Sequence, residues 1–357
     1  MIKKRVLFIV EAMGGGVYTY IIELANELVK KYDIYIAYAI RPQTPKNYKD
    51  EFNKEINLIE ISNLVRNISP INDLKALIAI RKLENDIKPD IIHLHSSKAG
   101  VLGRWAFRGK KNAIFYTPHG YSFLMADCGY IKRVLYRQIE KISAKRNCTT
   151  ICCSYGEYRE TLSFNKNTKY VNNGVNIKQL KNLKDRSNAT CKNKFTVSTL
   201  GRICFQKNPK MFNDIAISLP EIEFVWIGDG ELRNELNAPN ITITGWMTRE
   251  DALLKMLSTN IFILTSLWEG LPISLLEAMY MKKVCIVSNV IGNNDVIRTG
   301  RNGYVCDNCE DFISVIKTVK ENFEEVNILI KNAYEDILET YNTKIMAEMY
   351  SRLYERK

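Results

Sequence analysis

The chain has 357 residues, of which 46% are hydrophobic and 25% are charged. At about 150 residues per domain this length predicts two domains, and the composition excludes a disordered or fibrous protein. The formal net charge of +12 is uneven, because residues 1–190 carry 32 basic and 17 acidic side chains whereas residues 191–357 carry 19 and 22. The basic half predicts an anionic partner, which could be nucleic acid, a membrane surface or a phosphorylated substrate.

Neither a membrane span nor a signal peptide is predicted. The longest uncharged run has 15 residues, whereas a spanning helix needs about 20, and Val6–Val10 has the length of a buried strand. Nine cysteines are an odd number, and Cys152 and Cys153 lie in an apolar run, as buried thiols of a reduced protein do. Cys306 and Cys309 form a single CxxC with no second pair, so no metal site is predicted. We expect a cytoplasmic protein.

Short β-branched runs alternate with longer amphipathic stretches in the first half of the chain. The predicted strands are Val6–Val10, Ile34–Ile40, Ile56–Ile61, Asp90–Leu94, Ala113–Thr117, Thr149–Cys153 and Lys169–Val171, and the predicted helices include Tyr18–Lys30, Ile71–Asp86, Lys98–Phe107 and Tyr130–Arg146. Continuous apolar runs are typical of strands buried on both faces, and strand–helix alternation favours a doubly wound parallel α/β sheet.

A polar stretch at residues 173–193 predicts a linker, after which the alternation restarts. The second set of predicted strands is Phe195–Leu200, Phe224–Ile227, Ile241–Thr244, Ile261–Leu264 and Val284–Val287, and the predicted helices are Pro209–Leu219, Glu231–Leu236, Arg249–Leu257 and Ile273–Tyr280. We therefore expect two Rossmann-like domains, 1–172 and 194–340, with a C-terminal helix at 341–357 packing back on the first. Ligands of such folds bind at the carboxyl ends of the strands, here in a cleft between the domains.

Two segments have the features of phosphate-binding loops. Gly14-Gly15-Gly16 lies between a predicted strand and a predicted helix, where backbone N–H groups can approach an anion, although a tight structural turn explains it about as well. Gly201-Arg202 and Lys207-Asn208-Pro209 bring two cations to a strand end beside a helix start, which predicts a diphosphate clamp. The chain has no Asp-x-Asp pair for a divalent ion, and scattered surface cations are the alternative.

A third segment, Thr265–Met279, contains two carboxylates in apolar surroundings. Glu269 follows a predicted strand, Glu277 lies inside the next helix, and Gly270 with Pro272 shapes the turn between them. Carboxylates placed in this way are good acceptors for paired sugar hydroxyls. A helix cap and a helix-surface residue are the alternative interpretation.

In this order the motifs resemble those of the retaining glycosyltransferases of family 4, which have the GT-B fold. The resemblance rests on Gly201-Arg202 with Lys207-Asn208, on Gly228-Asp229-Gly230, on Glu269 with Glu277, and on His93-Leu94-His95-Ser96-Ser97-Lys98-Ala99-Gly100 with Thr117-Pro118-His119-Gly120. It covers nearly the whole chain and is greatest to bacterial enzymes of capsule, exopolysaccharide or lipopolysaccharide synthesis.

The resemblance implies metal-independent, retaining transfer of a sugar from a nucleotide-diphosphate sugar, with UDP favoured, to a saccharide or lipid-linked acceptor. It assigns the donor diphosphate to Arg202 and Lys207, the donor sugar to His119 and Glu269, and the ribose to Glu277. Further donor contacts would come from Gly15, Gly16, Gly270, Leu271, Pro272 and Ile273, and the acceptor side from His93, His95, Ser96 and Lys98. No cofactor is expected. His93 and His95 alternate on one strand, but three histidines in all make zinc the weaker interpretation.

Two other functions are kept as alternatives. A GT-B-like nucleotide-sugar epimerase would need acidic residues on both sides of the sugar, and a basic nucleic-acid-binding protein would need a cationic stripe interleaved with stacking aromatics; neither pattern is evident, so no nucleic-acid partner is expected. The basic lobe instead predicts peripheral contact with the anionic inner face of the cell membrane. This surface would comprise Lys110, Lys111, Lys132, Arg133, Arg137, Lys141, Lys145 and Arg146, with Ile131, Leu135, Ile139 and Ile142 on the opposite face of one helix. A core-packed helix with a solvated basic face is the alternative.

Overall fold

The computed structural model describes residues 3–11, 13–41, 44–65, 69–107, 112–125, 129–186 and 194–356. The chain divides into two compact units, the first made of Met1–Asn173 and Thr343–Lys357 and the second of Gly174–Asn342. Each unit has its own parallel sheet and its own apolar core, which confirms the predicted α/β class.

Within the described residues, the first unit contains a seven-stranded parallel sheet in the order β3-β2-β1-β4-β5-β6-β7. Its strands are β1 (Arg5–Val10), β2 (Asp33–Tyr38), β3 (Asn57–Glu60), β4 (Ile91–His95), β5 (Ala113–Thr117), β6 (Thr149–Cys152) and β7 (Thr168–Tyr170). The helices that alternate with them are α1 (Gly15–Leu28), α2 (Pro70–Ile87), α3 (Ser97–Ala106), α4 (Tyr130–Ser143) and α5 (Tyr155–Leu162).

The strand order of the first sheet reverses at β1, which pairs with β2 on one side and β4 on the other. Loops on either side of such a reversal diverge and leave a crevice at the carboxyl edge. Gly14-Gly15-Gly16 follows β1 at this edge, and Ser96 to Lys98 follow β4. The fold thus places both motifs at the position where α/β proteins bind ligands.

The described part of the second unit contains a six-stranded parallel sheet in the order β10-β9-β8-β11-β12-β13. Its helices and strands, in chain order, are α6 (Ile177–Arg186), β8 (Thr196–Leu200), α7 (Pro209–Ser218), β9 (Glu223–Ile227), β10 (Ile241–Ile243), α8 (Arg249–Leu257), β11 (Ile261–Leu264), α9 (Ile273–Tyr280), β12 (Val284–Ser288), α10 (Asn293–Val296), β13 (Tyr304–Cys306), α11 (Cys309–Glu321) and α12 (Asn327–Glu339). The reversal lies between β8 and β11, so the loops that begin at Gly201 and Thr265 flank the crevice.

The final helix, α13 (Thr343–Glu355), belongs to the first unit and contacts α1. Tyr350 and Tyr354 on this helix are buried, and both rings pack against His93. The C-terminal segment thereby contributes side chains to the interior of the first unit.

The structure differs from the sequence analysis in the segment interpreted as a linker. Within residues 173–193 the described part forms α6, whose Leu180 and Leu183 are buried and which contacts α8 and α9. Residues three apart lie on the same side of a helix, so Leu180 and Leu183 are buried together, although lysines and asparagines surround them in the sequence. This stretch is therefore part of the second unit.

The basic helix α4 does not fit the alternative interpretation of a core-packed helix. Its apolar face is largely exposed, with Ile131 at 83%, Leu135 at 52% and Ile142 at 51%. The residues that α4 buries are polar: Glu140 accepts hydrogen bonds from Arg104 Nη2 (2.6 Å) and from the Tyr116 hydroxyl (2.9 Å). A polar anchor thus holds the helix and leaves its apolar side chains in solvent.

Candidate functional site

The two loops flanking the crevice of the second sheet bring Lys207 and Glu269 together. Lys207 Nζ lies 2.7 Å from Glu269 Oε1, and the side chains are only 15% and 8% exposed. Lys207 closes a 3₁₀ turn between β8 and α7, and Glu269 lies between β11 and α9. The residues assigned to the donor diphosphate and to the donor sugar therefore pair with each other in the structure.

Backbone and side-chain hydrogen bonds fix these two loops against each other. The N–H of Leu267 donates to the carbonyl of Gln206 (2.8 Å), and Gln206 Nε2 donates to the carbonyl of Trp268 (2.9 Å). Thr265 Oγ1 donates to the carbonyl of Lys207 (2.8 Å). These contacts hold the two loops in a fixed arrangement.

Glycines allow the loop after β8 to pack tightly on the loop after β9. A Cβ atom at Gly228 would lie 2.3 Å from the carbonyl oxygen of Gly201, and one at Gly230 would lie 2.2 Å from that of Ile203. The N–H of Ile203 donates to the carbonyl of Asp229 (2.9 Å). Gly228-Asp229-Gly230 therefore acts as a backbone support for Gly201-Arg202.

Arg202 is held far more loosely than Lys207. Its Nε lies 3.9 Å from Glu231 Oε2, and the two side chains are 35% and 57% exposed. An exposed pair at this distance contributes little to stability, so Arg202 can turn to an anionic ligand at small cost. Asn208 caps the N-terminus of α7: its φ is 52°, and its Oδ1 accepts the N–H of Met211 (3.3 Å).

Glu277 has a partner that sequence reasoning missed. Arg249 Nη2 lies 2.5 Å from Glu277 Oε1, and the carboxyl side chain is 3% exposed. Burial raises the pKa of Glu277, and the Arg249 charge opposes that rise. The first turn of α8 also contains Glu250 and Asp251, so no local sequence signal pointed from Arg249 to Glu277.

The turn after Glu269 leads directly into α9. Leu271 and Ile273 are buried, and a Cβ atom at Gly292 would lie 2.3 Å from the carbonyl oxygen of Gly270. Pro272 precedes the helix, and no acidic residue lies in its first turn. This backbone therefore presents the positive end of α9 at the crevice edge.

In the first unit, His93 lies entirely in the interior. Its Nδ1 lies 2.6 Å from the Tyr354 hydroxyl, and its Nε2 lies 2.8 Å from Thr117 Oγ1. Tyr350 in turn contacts Thr117, with 3.3 Å between the two oxygens. Because both ring nitrogens have protein partners, His93 joins strands β4 and β5 to the final helix.

His95 and His119 form a second contact at the ends of β4 and β5. His95 Nδ1 lies 3.1 Å from His119 Nε2, and His119 has φ at 57°. His95 is fully buried and His119 is half-buried. Burial lowers the pKa of all three histidines, so their rings are neutral at pH 7. The described residues contain no group of three His, Cys, Asp or Glu side chains that could hold a metal.

The remaining site residues of the first unit lie at the same carboxyl edge. Ser96 has φ at 73° and precedes α3, and Lys98 Nζ lies 2.6 Å from Asp73 Oδ1. Gly15 has φ at 58°, a conformation that favours glycine. A Cβ atom at Gly15 or Gly16 would meet nothing within 4 Å, so space is open beside this loop.

Family comparisons cover nearly the whole chain. Residues 14–179 match the family described as Glycosyltransferase Family 4, and residues 181–336 match Glycosyl transferases group 1. An Escherichia coli enzyme named UDP-Gal:alpha-D-GlcNAc-diphosphoundecaprenol alpha-1,3-galactosyltransferase is 31% identical over 85% of both chains. The chain belongs to the family 4 glycosyltransferases. The resemblance inferred from the motifs is thereby confirmed, and so is the transferase class.

More distant relatives and solved structures agree with this assignment. The Campylobacter jejuni N,N'-diacetylbacillosaminyl-diphospho-undecaprenol alpha-1,3-N-acetylgalactosaminyltransferase is 24% identical over 96% of each chain. Sucrose-phosphate synthase from Thermosynechococcus elongatus superimposes with a TM-score of 0.85 at 17% identity, covering 99% of each chain. Anabaena HepE in complex with UDP gives 0.79 at 15% identity over 99% of this chain and all of the other. These structures confirm the GT-B fold.

The glycosyltransferase fold thus brings some predicted site residues together and separates others. Lys207 pairs with Glu269, and His119 pairs with His95, whereas His93 faces the interior. The roles assigned to individual residues toward donor and acceptor stay predictions.

Proposed function

We propose that this glycosyltransferase moves a sugar from a UDP-sugar to a lipid-diphosphate-linked saccharide in bacterial surface-polysaccharide synthesis, with retention of configuration and without a metal ion. The Escherichia coli relative is named for UDP-Gal and a diphosphoundecaprenol acceptor, and the Campylobacter jejuni relative for a diphospho-undecaprenol acceptor. HepE binds UDP. The observation that carries the proposal is the pairing of Lys207 with Glu269 at the carboxyl edge of the second sheet.

In this proposal the protein accelerates the reaction by stabilising the leaving diphosphate. Negative charge grows on the diphosphate as the bond to the sugar breaks, and preorganised cations stabilise that charge. Arg202 is loosely held and Lys207 has one carboxylate partner, so both can turn to the phosphates. The N-terminus of α9 adds a positive dipole end. These groups would supply the charge that a divalent ion supplies in other transferases.

Recognition of the sugar and the ribose falls to the two glutamates. When Lys207 turns to the diphosphate, Glu269 becomes free to accept sugar hydroxyls, together with the backbone of residues 270–273. Glu277 stays fixed by Arg249 through Oε1, and we assign its Oε2 to the ribose hydroxyls. His119 would contact the donor sugar near the reacting carbon.

Retention follows in this scheme from attack of the acceptor hydroxyl on the face that the diphosphate leaves. The leaving phosphate takes the proton, so no side-chain base is required. Glu269 is not assigned as a nucleophile, because its carboxylate accepts the sugar hydroxyls in this scheme.

The decisive experiment is a donor and acceptor matrix with the purified full chain. The donors are UDP-galactose, UDP-glucose, UDP-N-acetylgalactosamine and GDP-mannose, and the acceptor is a synthetic N-acetylglucosamine-diphosphate lipid, assayed with and without EDTA. We expect acceptor-dependent release of UDP with one UDP-sugar and an α-linked product by NMR. Conversion of the donor without acceptor would favour an epimerase, and a β-linked product would contradict retention.

We further propose that the first unit rests on the anionic inner face of the cell membrane through α2 and α4. None of the described helices is long and apolar enough to span a bilayer. However, α4 exposes Ile131 and Leu135, and α2 exposes further large apolar side chains at helical spacing, namely Ile71, Leu74 and Ile78. α3 contacts both helices. Exposed apolar residues on a basic helix such as α4 are typical of interfacial binding.

The cations of α4 differ in how they are held. Arg133 Nε donates to the carbonyl of Phe123 (3.1 Å), and Arg137 pairs with Glu160 at 2.9 Å. Lys132, Lys141 and Lys145 are exposed, whereas Lys110 and Lys111 lie outside the described residues. Each lysine or arginine near an anionic leaflet contributes about 1 kcal/mol of binding. The exposed lysines are therefore the better positions for charge reversal.

Vesicle co-sedimentation tests this surface. Wild type should bind phosphatidylglycerol vesicles, ignore phosphatidylcholine, and dissociate in high salt. The triple variant K132E/K141E/K145E and the variant Ile131→Ser should each bind weakly, while Ile217→Ser, at an exposed apolar site in the second unit, should bind like wild type. Failure of wild type to bind anionic vesicles at low salt would contradict the membrane proposal and leave the transfer reaction unaffected.

A further inference from the structure

The number of protons on His95 and His119 determines which ring nitrogen donates and which accepts in the contact between them. The two facing nitrogens, His95 Nδ1 and His119 Nε2, are 3.1 Å apart, which is a hydrogen-bond distance. Burial lowers the pKa of each ring, so both are neutral at pH 7. A neutral imidazole carries one proton on one of its two nitrogens. One of the facing nitrogens therefore donates and the other accepts.

The other nitrogen of His95 distinguishes the two arrangements. His95 Nε2 is buried and has no hydrogen-bond partner among the described residues. If His119 donated, the proton of His95 would sit on this Nε2 as a buried N–H without an acceptor. If His95 Nδ1 donates, Nε2 carries only a lone pair. Orphaned buried N–H groups are rarer in proteins than under-satisfied acceptors, so the second arrangement is favoured.

Neighbouring groups leave this choice unchanged. The two nitrogens of His93 are taken by Tyr354 and Thr117, so His93 offers no partner to His95. Phe8 packs its ring 4.9 Å from that of His95, which is an apolar contact. Tyr20 packs edge-on against the His119 ring at 4.5 Å and holds it in place.

We propose that His95 is a positioning residue that donates from Nδ1 to Nε2 of His119 and fixes His119 as the Nδ1–H tautomer, which offers a hydrogen-bond donor to the sugar of the nucleotide donor. This inference rests on the proposed function for the placement of His119 at the sugar. Nδ1 of His119 has no hydrogen-bond partner within the described part of the chain. In water a neutral imidazole favours the opposite tautomer, with the proton on Nε2. The hydrogen bond from His95 is therefore required to hold His119 in the Nδ1–H form.

Nitrogen NMR of ring-labelled histidine tests the tautomer directly. The chain has three histidines, so each signal can be assigned by single substitution. Long-range proton–nitrogen correlations of the wild type at pH 7 should identify His119 as protonated on Nδ1. Observation of His119 protonated on Nε2 in the folded wild type would overturn the proposal. This measurement needs no substrate, so its outcome is independent of whether UDP-sugars bind.

Two substitutions of His95 separate positioning from a structural role. His95→Phe keeps a ring without a donor, and His95→Asn offers a short amide N–H near the place of Nδ1. We expect His95→Phe to shift His119 toward the Nε2–H form and to weaken UDP-sugar affinity about tenfold, the size of one lost hydrogen bond, with UDP affinity unchanged. His95→Asn should retain more of the UDP-sugar affinity than His95→Phe.

The control is Tyr354→Phe, which removes a hydroxyl from the same cluster but leaves the His95–His119 contact in place. It should leave the His119 tautomer unchanged. Equal loss of UDP and UDP-sugar binding in His95→Phe would indicate a structural role and contradict positioning. If that variant fails to fold, the tautomer of His119 in the wild type still tests the proposal. If no UDP-sugar binds the wild type, the proposed function fails while the tautomer assignment stands on its own measurement.

Discussion

Lys207 and Glu269 form an ion pair across 62 positions of sequence, with 2.7 Å between Nζ and Oε1. Each residue is thereby the partner of the other. A diphosphate is a stronger partner for a lysine than one carboxylate, and sugar hydroxyls need an acceptor. We therefore expect binding of the nucleotide sugar to break the ion pair, with Lys207 turning to the phosphates and Glu269 to the sugar.

Substitution of Glu269 should separate sugar affinity from nucleotide affinity. Glu269→Gln is expected to weaken UDP-sugar binding about tenfold or more, because a charged hydrogen-bond acceptor is lost. UDP binding should stay the same or strengthen, because Lys207 is released from its carboxylate. Titration calorimetry with UDP and with the UDP-sugar measures both affinities.

The control for this prediction is Glu231→Gln, in which a long, exposed pair with Arg202 is lost. It should leave both affinities within about twofold of wild type, since such a pair contributes little. Equal weakening of UDP and UDP-sugar binding in Glu269→Gln would show that Glu269 does not recognise the sugar.

Loss of Arg202 should affect the reaction more than binding. Arg202→Ala is expected to cost about 2–4 kcal/mol of transition-state stabilisation, comparable to one oxyanion donor, so kcat falls by about 30- to 1,000-fold. Donor affinity should change less, since the charge grows during the reaction. Steady-state kinetics with Arg233→Ala as the matched control, an exposed arginine paired with Asp229, test this. Near-normal turnover of Arg202→Ala would refute the clamp.

Removal of divalent ions should leave the activity intact. Arg202 and Lys207 supply the positive charge at the diphosphate in the proposed scheme, so dialysis against EDTA is expected to change kcat by less than twofold. Activity lost on chelation and restored by manganese would contradict the assignment of the clamp to these two cations.

The buried histidines should make the first unit sensitive to acid. Burial lowers the pKa of His93, His95 and His119 below the usual 6.5, so the unfolded chain binds more protons than the native one. Their contribution to stability is therefore present above pH 6.5 and decreases as pH falls below it. For each pH unit below 6.5, a ring that stays neutral in the native state lowers the free energy of unfolding by about 1.4 kcal/mol.

Denaturant titrations at pH 7, 6 and 5 measure this dependence. His95→Asn removes one of the three titrating rings and should reduce the histidine part of the acid loss by about a third, whereas Tyr354→Phe should leave it unchanged. Identical pH dependence of the wild type and His95→Asn would show that His95 is not buried as a neutral ring.

Local sequence pattern was sufficient for strands β1 to β12 and for the positions of the motifs, but not for the short strand β13 (Tyr304–Cys306). β1 after Arg5 and β11 are continuous apolar runs, whereas β4 and β8 mix apolar residues with histidine, serine and threonine; all four strands are buried along nearly their whole length, as central strands of a parallel sheet are. The parallel class then requires that the loops after these strands share one edge. Arg202, Lys207 and Glu269 follow such strands in the sequence, so their location at that edge could be predicted.

Pairings between distant residues could not be predicted in this way. No local pattern relates Arg249 to Glu277 or His93 to Tyr354, because these contacts depend on how helices pack after the sheet has formed. Helix α6 was missed for a related reason. Its two buried leucines are surrounded by polar residues in the sequence, and α6 packs on α8 and α9, which lie far along the chain.

The fold class, the family and the sheet edges at which the motifs lie could be predicted from the order of residues along the chain. These properties depend on the periodicity of apolar residues and on short motifs, both of which act between near neighbours. The pairing of Lys207 with Glu269, the inward position of His93 with the contact of His95 to His119, and the exposure of Ile131 on α4 became known from the folded structure alone. The physical reason is that a side chain's partner is set by long-range packing, to which many distant residues contribute at once.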